Sequence, residues 1–167
     1  MKQVVSAPDI ANTLKCELAS EVLHAFGPVR FPAIGRSMLP AVWPGDTLVV
    51  ERVIPDQVQV GDVVVVGRHG SLCAHRVISA GGDAANPQWI TQGDALLAPD
   101  WPVSEKELLG RVAYLIRRGK LIEVPAELSV AKRWIAKIVR RSVLAARGLV
   151  FLHRVVQDPK ESVPCQG

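Results

Sequence analysis

The spacing of apolar residues changes once along this chain, and that change constrains the fold more than any other feature. From Pro8 to Phe26 the positions Ile10, Leu14, Leu18, Val22 and Phe26 recur every fourth residue and stop at Gly27-Pro28. That is the pattern of an amphipathic helix ended by a residue tolerant of positive φ and by one that cannot continue a helix. Beyond it the runs are short, rich in β-branched residues and bounded by Gly, Pro or Asp: 47–53, 63–66, 72–78, 88–91, 111–116 and 121–124. Such runs predict strands of one compact sheet system.

The turns between the runs carry their own chemistry. Pro44-Gly45 supplies the fixed φ and the positive φ of a type II turn, Gly61-Asp62 plays the same part before Val63, and Arg68-His69-Gly70 and Arg118-Gly119 each close a hairpin. Ser104 and Glu107 have capping-box spacing ahead of Leu108-Leu109, which predicts one short helical turn ending at Gly110. The fold expected is mainly β (α+β): an N-terminal helix over 1–28, a core of hairpins over 29–125, a C-terminal helix over 126–157 and a flexible tail over 158–167. With 49% apolar residues in 167, one domain with a real core is the natural size.

The C-terminal segment is distinct in charge. Residues 1–125 hold 12 Lys+Arg against 13 Asp+Glu, whereas residues 126–167 hold 8 against 3. Ala131, Trp134 or Ile135, Ile138, Ala145, Leu149, Leu152 and Val156 recur among those cations, the pattern of a single basic amphipathic helix. Its most apolar stretch, residues 143–152, is ten residues long and contains Arg147, against about 20 needed to span a bilayer. It is expected to be able to lie on an anionic membrane without crossing it, although packing on the core with a solvated charged face is an equal reading, and Trp134 among cations also suits nucleic acid. At the N-terminus Asp9, Lys15, Glu17 and Glu21 interrupt any apolar run, so neither an export signal nor a membrane anchor is expected there. Cys16, Cys73 and Cys165 are odd in number and widely spaced, which argues against a disulfide framework or zinc site and for a reducing compartment.

Four residues are candidates for chemistry. Gly35-Arg36-Ser37-Met38-Leu39-Pro40 sets a serine between a flexible glycine and a rigid proline. A serine presented that way is either a surface-turn residue or a nucleophile whose own N–H helps hold an oxyanion. His75 is either a strand histidine satisfied by a carbonyl or a general base. Asp94 and Asp100, six residues apart, are either loop residues or acids that orient a base. Cys73 and His75 share a strand face while His69 does not, so a metal site or a cysteine nucleophile is a weaker alternative.

Taken together, Gly-Arg-Ser-Met-Leu-Pro, Pro-Gly-Asp-Thr-Leu, Val-Gly-Asp-Val-Val-Val, Ala-His-Arg-Val-Ile, Thr-Gln-Gly-Asp and Leu-Gly-Arg-Val occur over residues 30–120 in the order found in type I signal peptidases. The chain resembles that family, and specifically its branch with histidine rather than lysine as base, archaeal or endoplasmic-reticulum-like. The resemblance implies a serine endopeptidase with Ser37 as nucleophile, His75 as base and Asp100 orienting it. It makes Asp94 a supporting acid, with Gly35 and Met38 flanking the nucleophile, and it implies cleavage of a peptide or protein at small residues without cofactor or metal. An imidazole suits that role because its ordinary pKa, about 6.5, lies near neutrality. The chain departs from the family where a membrane-spanning helix would precede the core. Gly35 also stands where some relatives place a serine hydroxyl in the oxyanion hole. A cytoplasmic enzyme, or one peripheral to the inner membrane, is therefore expected, with no nucleic-acid partner.

Two other readings compete. One is a non-catalytic interaction or membrane-surface module on the same fold. The other is the related fold of self-cleaving repressors, which use lysine as base and carry a DNA-binding domain for which the residues before Ser37 leave no room. Ala80-Gly81 resembles their scissile pair but follows His75 instead of preceding Ser37.

Overall fold

A computed structural model describes residues 7–68, 70–83 and 86–157. Within these, helix α1 (Ala7–Phe26) precedes strands β1 (Val29–Pro32), β2 (Thr47–Glu51), β3 (Val63–Arg68), β4 (Ser71–Asp83), β5 (Asn86–Gln92), β6 (Val103–Ser104), β7 (Leu108–Arg117) and β8 (Lys120–Ile122). Helices α2 (Val130–Arg141) and α3 (Val143–Gln157) follow. The strands form one antiparallel sheet in the order β1-β2-β7-β3-β4-β5-β6, with β8 on β7, and strand outweighs helix by 37% to 30%. This is the β-dominant α+β architecture expected from the sequence.

β3 shows why the sheet is wrapped. Its four consecutive valines are all buried: Val63 and Val65 face a cluster containing Leu23, Met38, Val50 and Leu115, while Val64 and Val66 face another containing Val77, Trp89 and Val103. A strand without polar alternation is one with both faces covered. Fully burying a valine is worth about 1.5–3 kcal/mol, so β3 is a principal source of stability.

Several elements differ from expectation, each for a physical reason. The four-residue stripe on α1 does not face the core, since Leu14, Leu18 and Phe26 are exposed while Ala19 and Leu23 are buried. A step of four residues turns about 400°, so such a stripe drifts by about 40° per step and winds around the helix. The side chain of Ile10 lies outside those described.

The capping box forms as read, with Glu107 accepting from the Ser104 N–H and hydroxyl, but it supports only the 3₁₀ turn Glu105–Glu107 before β7 begins at Leu108. Gly110 ends no helix. It sits inside β7, where a Cβ would lie 2.4 Å from the Glu51 carbonyl oxygen. The C-terminal helix is two helices. Ser142 between them is extended, and its hydroxyl accepts from the Ala145 N–H at 3.1 Å and its carbonyl from the Ala146 N–H at 3.0 Å, a helix N-cap. The short strands β1 and β6 were not legible in the runs, and the tail over 158–167 lies outside the described residues.

Candidate active site

Ser37 follows β1 in a loop of consecutive turns that runs from Arg36 to Trp43. Two residues beyond the serine, Leu39 is fully buried against Val139 of α2 and Ala146 of α3. Trp43 stacks on His153 of α3 with ring centroids 3.7 Å apart and an interplanar angle of 16°. The Ser37 carbonyl accepts from the Ala95 N–H at 2.7 Å, so the loop is tied to the turn after β5. Gly93 in that turn is required by this approach, since a Cβ there would lie 2.7 Å from the Ser37 carbonyl oxygen.

His75 lies mid-strand on β4, paired with Val64, and is 7% exposed. Its Nδ1 is 2.6 Å from Asp100 Oδ2. A carboxylate accepts only, so Nδ1 is the donor in this contact, and in the neutral imidazole that leaves the lone pair a base needs on Nε2. Asp100 is itself held: the same oxygen accepts from the buried Thr91 hydroxyl at 2.7 Å, and the Asp100 N–H donates to the Thr91 carbonyl at 2.8 Å. Arg68 secures the far side of the loop by donating to the carbonyls of Trp101 and Pro102 and to Glu107. The Arg68 hydrogen bond, outweighing burial and aided by Ser104, holds the Glu107 carboxyl down at about 2.

Asp94 has a different place. It is buried and receives Arg76 through two hydrogen bonds, 2.8 Å from Nε and 2.9 Å from Nη2. Arg76 Nη1 donates to the carbonyls of Gly61, Pro125 and Ala126. The Asp94 carbonyl in turn accepts from Arg140 Nε of α2 at 3.0 Å. The neighbours Arg76 and His75 thus point to opposite faces of β4, each to its own aspartate.

Ser37 lines a cleft of about 410 Å³ with Ile34, Gly35, Met38, Leu72 and Cys73 among its walls. Cys73 shares the His75 face of β4 by alternation. Among the described residues the Ser37 hydroxyl makes no hydrogen bond to His75; the structure brings His75, Asp100 and Thr91 into contact, while the cleft that holds Ser37 reaches β4 at Leu72, Cys73 and Ala74. A Cβ on the exposed Gly35 would stand 3.9 Å from Ser37 Oγ, and Met38 is a core residue of the cluster around Leu23.

Burial, reinforced by the Asp100 charge, pushes the Cys73 thiol up even though the residue as a whole is exposed, which makes it a poor nucleophile at neutral pH. Among the described residues no group of three or more His, Cys, Asp or Glu is placed to hold a metal ion. His69 lies outside them.

Thr91, Arg76, Arg68 and Leu39 were not singled out from the sequence. Their motif neighbours were, and the signal available for Arg76 and Thr91 was adjacency to His75 and Gly93-Asp94.

Comparison with protein-family models finds no match. Comparison with curated proteins finds none either. The resemblance to type I signal peptidases therefore rests on the order of the sequence motifs alone. No helix among the described residues is long and apolar enough to cross a membrane.

Proposed function

We propose that this chain is a signal-peptidase-like serine endopeptidase, cytoplasmic or peripheral to the inner membrane, with Ser37, His75 and Asp100 as its catalytic residues. The observation that carries this reading is the 2.6 Å contact of His75 Nδ1 with an Asp100 carboxylate that Thr91 fixes in turn. A buried strand histidine in a purely structural role needs one acceptor; a relay of carboxylate, hydroxyl and backbone that presets its tautomer is what a base needs.

An extended peptide lies along the apolar cleft at the free edge of β1, with a small side chain directed inward beside Ile34 and Leu72. As it binds, Ser37 Oγ and His75 Nε2 come into hydrogen-bond range, a contact that commonly tightens only in the substrate complex. Nε2 takes the hydroxyl proton as Oγ attacks the carbonyl carbon. Asp100 stabilises the imidazolium, and the Ser37 N–H faces the oxyanion. The imidazolium then protonates the leaving amine, and a water deprotonated by His75 releases the acyl group from Ser37.

The test is digestion of a diverse peptide pool by wild type, Ser37→Ala and His75→Ala, read by mass spectrometry. Cleavage at defined sites by wild type alone is expected. Equal cleavage by the variants refutes the site, and no cleavage by any of the three favours the non-catalytic module.

A further inference from the structure

Helices α2 and α3 together contain seven Lys/Arg and no Asp/Glu. At 100° per residue, α2 turns Ala136 and Val139 inward and Val130, Trp134, Lys137, Ile138 and Arg141 outward, and the structure agrees: the first two are buried, while Trp134 is 62% and Ile138 58% exposed. Leu97, 74% exposed on the loop after β5, meets them around a depression also walled by Lys137, Arg140 and Arg141. On its other side Ile138 borders an almost wholly apolar groove of about 260 Å³ between α2 and α3 that ends at Leu152. Leu144 and Phe151 stand exposed on α3. Through Ile138 the two depressions join, so Leu97, Trp134, Ile138, Leu149 and Leu152 line one apolar surface with Lys137, Arg140 and Arg141 at its margin, the kind of exposed apolar patch that marks an interaction site.

We propose that this surface seats the protein on an anionic lipid bilayer, with α2 and α3 lying in the interfacial plane. The charge is complementary, since every formal charge on the two helices is positive. The exposed residues are mainly large aliphatics, which belong in hydrocarbon; a nucleic acid would be met by stacking rings, and the one exposed tryptophan of α2 already lies under Lys137 Nζ at 5.1 Å. At 12 and 15 residues, the helices are too short to span. The same helices hold the Ser37 loop through Leu39 and the Asp94 turn through Arg140, so seating them fixes how the cleft faces the bilayer. This inference stands apart from the peptidase reading, because binding is measured without activity.

The experiment is co-sedimentation of the full chain with vesicles of phosphatidylcholine alone and with about 30% phosphatidylglycerol. Partition onto the mixed vesicles only, weakened by salt, is expected. A fall of about tenfold or more is expected in Trp134→Ser/Ile138→Ser, through lost apolar contact, and in Lys137→Glu/Arg141→Glu, through reversed charge. Circular dichroism and an unchanged melting temperature show that these exposed substitutions leave the fold intact. No partition onto mixed vesicles, partition undiminished in both double variants, or tighter binding to single-stranded RNA than to the vesicles at equal salt overturns the proposal.

Discussion

Asparagine in place of Asp94 and asparagine in place of Asp100 test separately the two roles proposed for these aspartates. The Arg76 and Asp94 side chains are only 9% and 5% exposed and joined by two hydrogen bonds. In Asp94→Asn, one amide face presents N–H to a guanidinium N–H and the positive charge is left buried without its counter-ion. Breaking one side of such a pair costs about 3–5 kcal/mol. Against a total stability of about 5–15 kcal/mol, that corresponds to a melting temperature lower by about 6–20 °C for a chain of this length.

Asp100 is more open, at 27% side-chain exposure, and loses one charge-assisted hydrogen bond in Asp100→Asn. The stability change expected there is about 1 kcal/mol. Peptide cleavage should nonetheless fall on the order of 10³–10⁴-fold, because an amide no longer fixes the imidazole tautomer. Urea and thermal unfolding followed by circular dichroism, with kcat on the best peptide from the pool, read both variants. If Asp94→Asn unfolds within about 1 kcal/mol of wild type, or if Asp100→Asn keeps wild-type kcat, the division of roles is wrong.

Three further outcomes are expected. Gly93→Ala should lower kcat more than it lowers stability, because its Cβ would collide with the Ser37 carbonyl at 2.7 Å, whereas Gly35→Ala meets Ser37 Oγ at an ordinary 3.9 Å and should stay near wild type; paired kcat and melting measurements compare them. Glu107 has a folded pKa of about 2 against an ordinary 4.5, so the folded state binds fewer protons in that window. Its contribution to stability is complete above about 4.5 and declines as pH falls toward about 2, and Glu107→Gln should flatten that acid limb in a series of urea midpoints. Burial, then the Arg117 charge, with Asp46 opposing, lowers the His153 pKa below 6.5; stability is therefore full above that value and decreases as pH falls through the lowered one. His153→Phe should remove that loss while keeping an aromatic ring beside Trp43, as read by urea midpoints on either side of neutrality.

The strands with strong local character were legible because β-branched runs bounded by Gly, Pro and Asp admit few other conformations. β3 is the clearest case. What escaped was set by contacts distant in sequence. The face of α1 depends on which residues the sheet presents to it, so Leu23 and not Leu18 is buried. Gly110 looked like a helix stop because only the approach of Glu51, far away in the chain, reveals why a side chain is excluded there.

Ser142 lies within an apolar spacing that continues across it, so the break shows only in its capping hydrogen bonds. His75 meets Asp100 and Arg76 meets Asp94 across the gap between β4 and the loop after β5, contacts that no local pattern in the sequence spells out. The tie of α2 and α3 to the serine loop through Leu39 and the Trp43–His153 stack, and to the Asp94 turn through Arg140, had no local signal. The basic helices were visible as charge and period, but their part in positioning Ser37 was not.

The proposed peptidase chemistry requires a covalent acyl intermediate on Ser37, formed with His75 as base. The direct measurement is acid quenching of the chain during turnover of a cleaved peptide, followed by intact-mass and peptide-mapping mass spectrometry. The predicted result is an added mass equal to the N-terminal product acyl group, located on Ser37, present in wild type and absent in Ser37→Ala and His75→Ala. An adduct on another residue, or one that persists in Ser37→Ala, would contradict it.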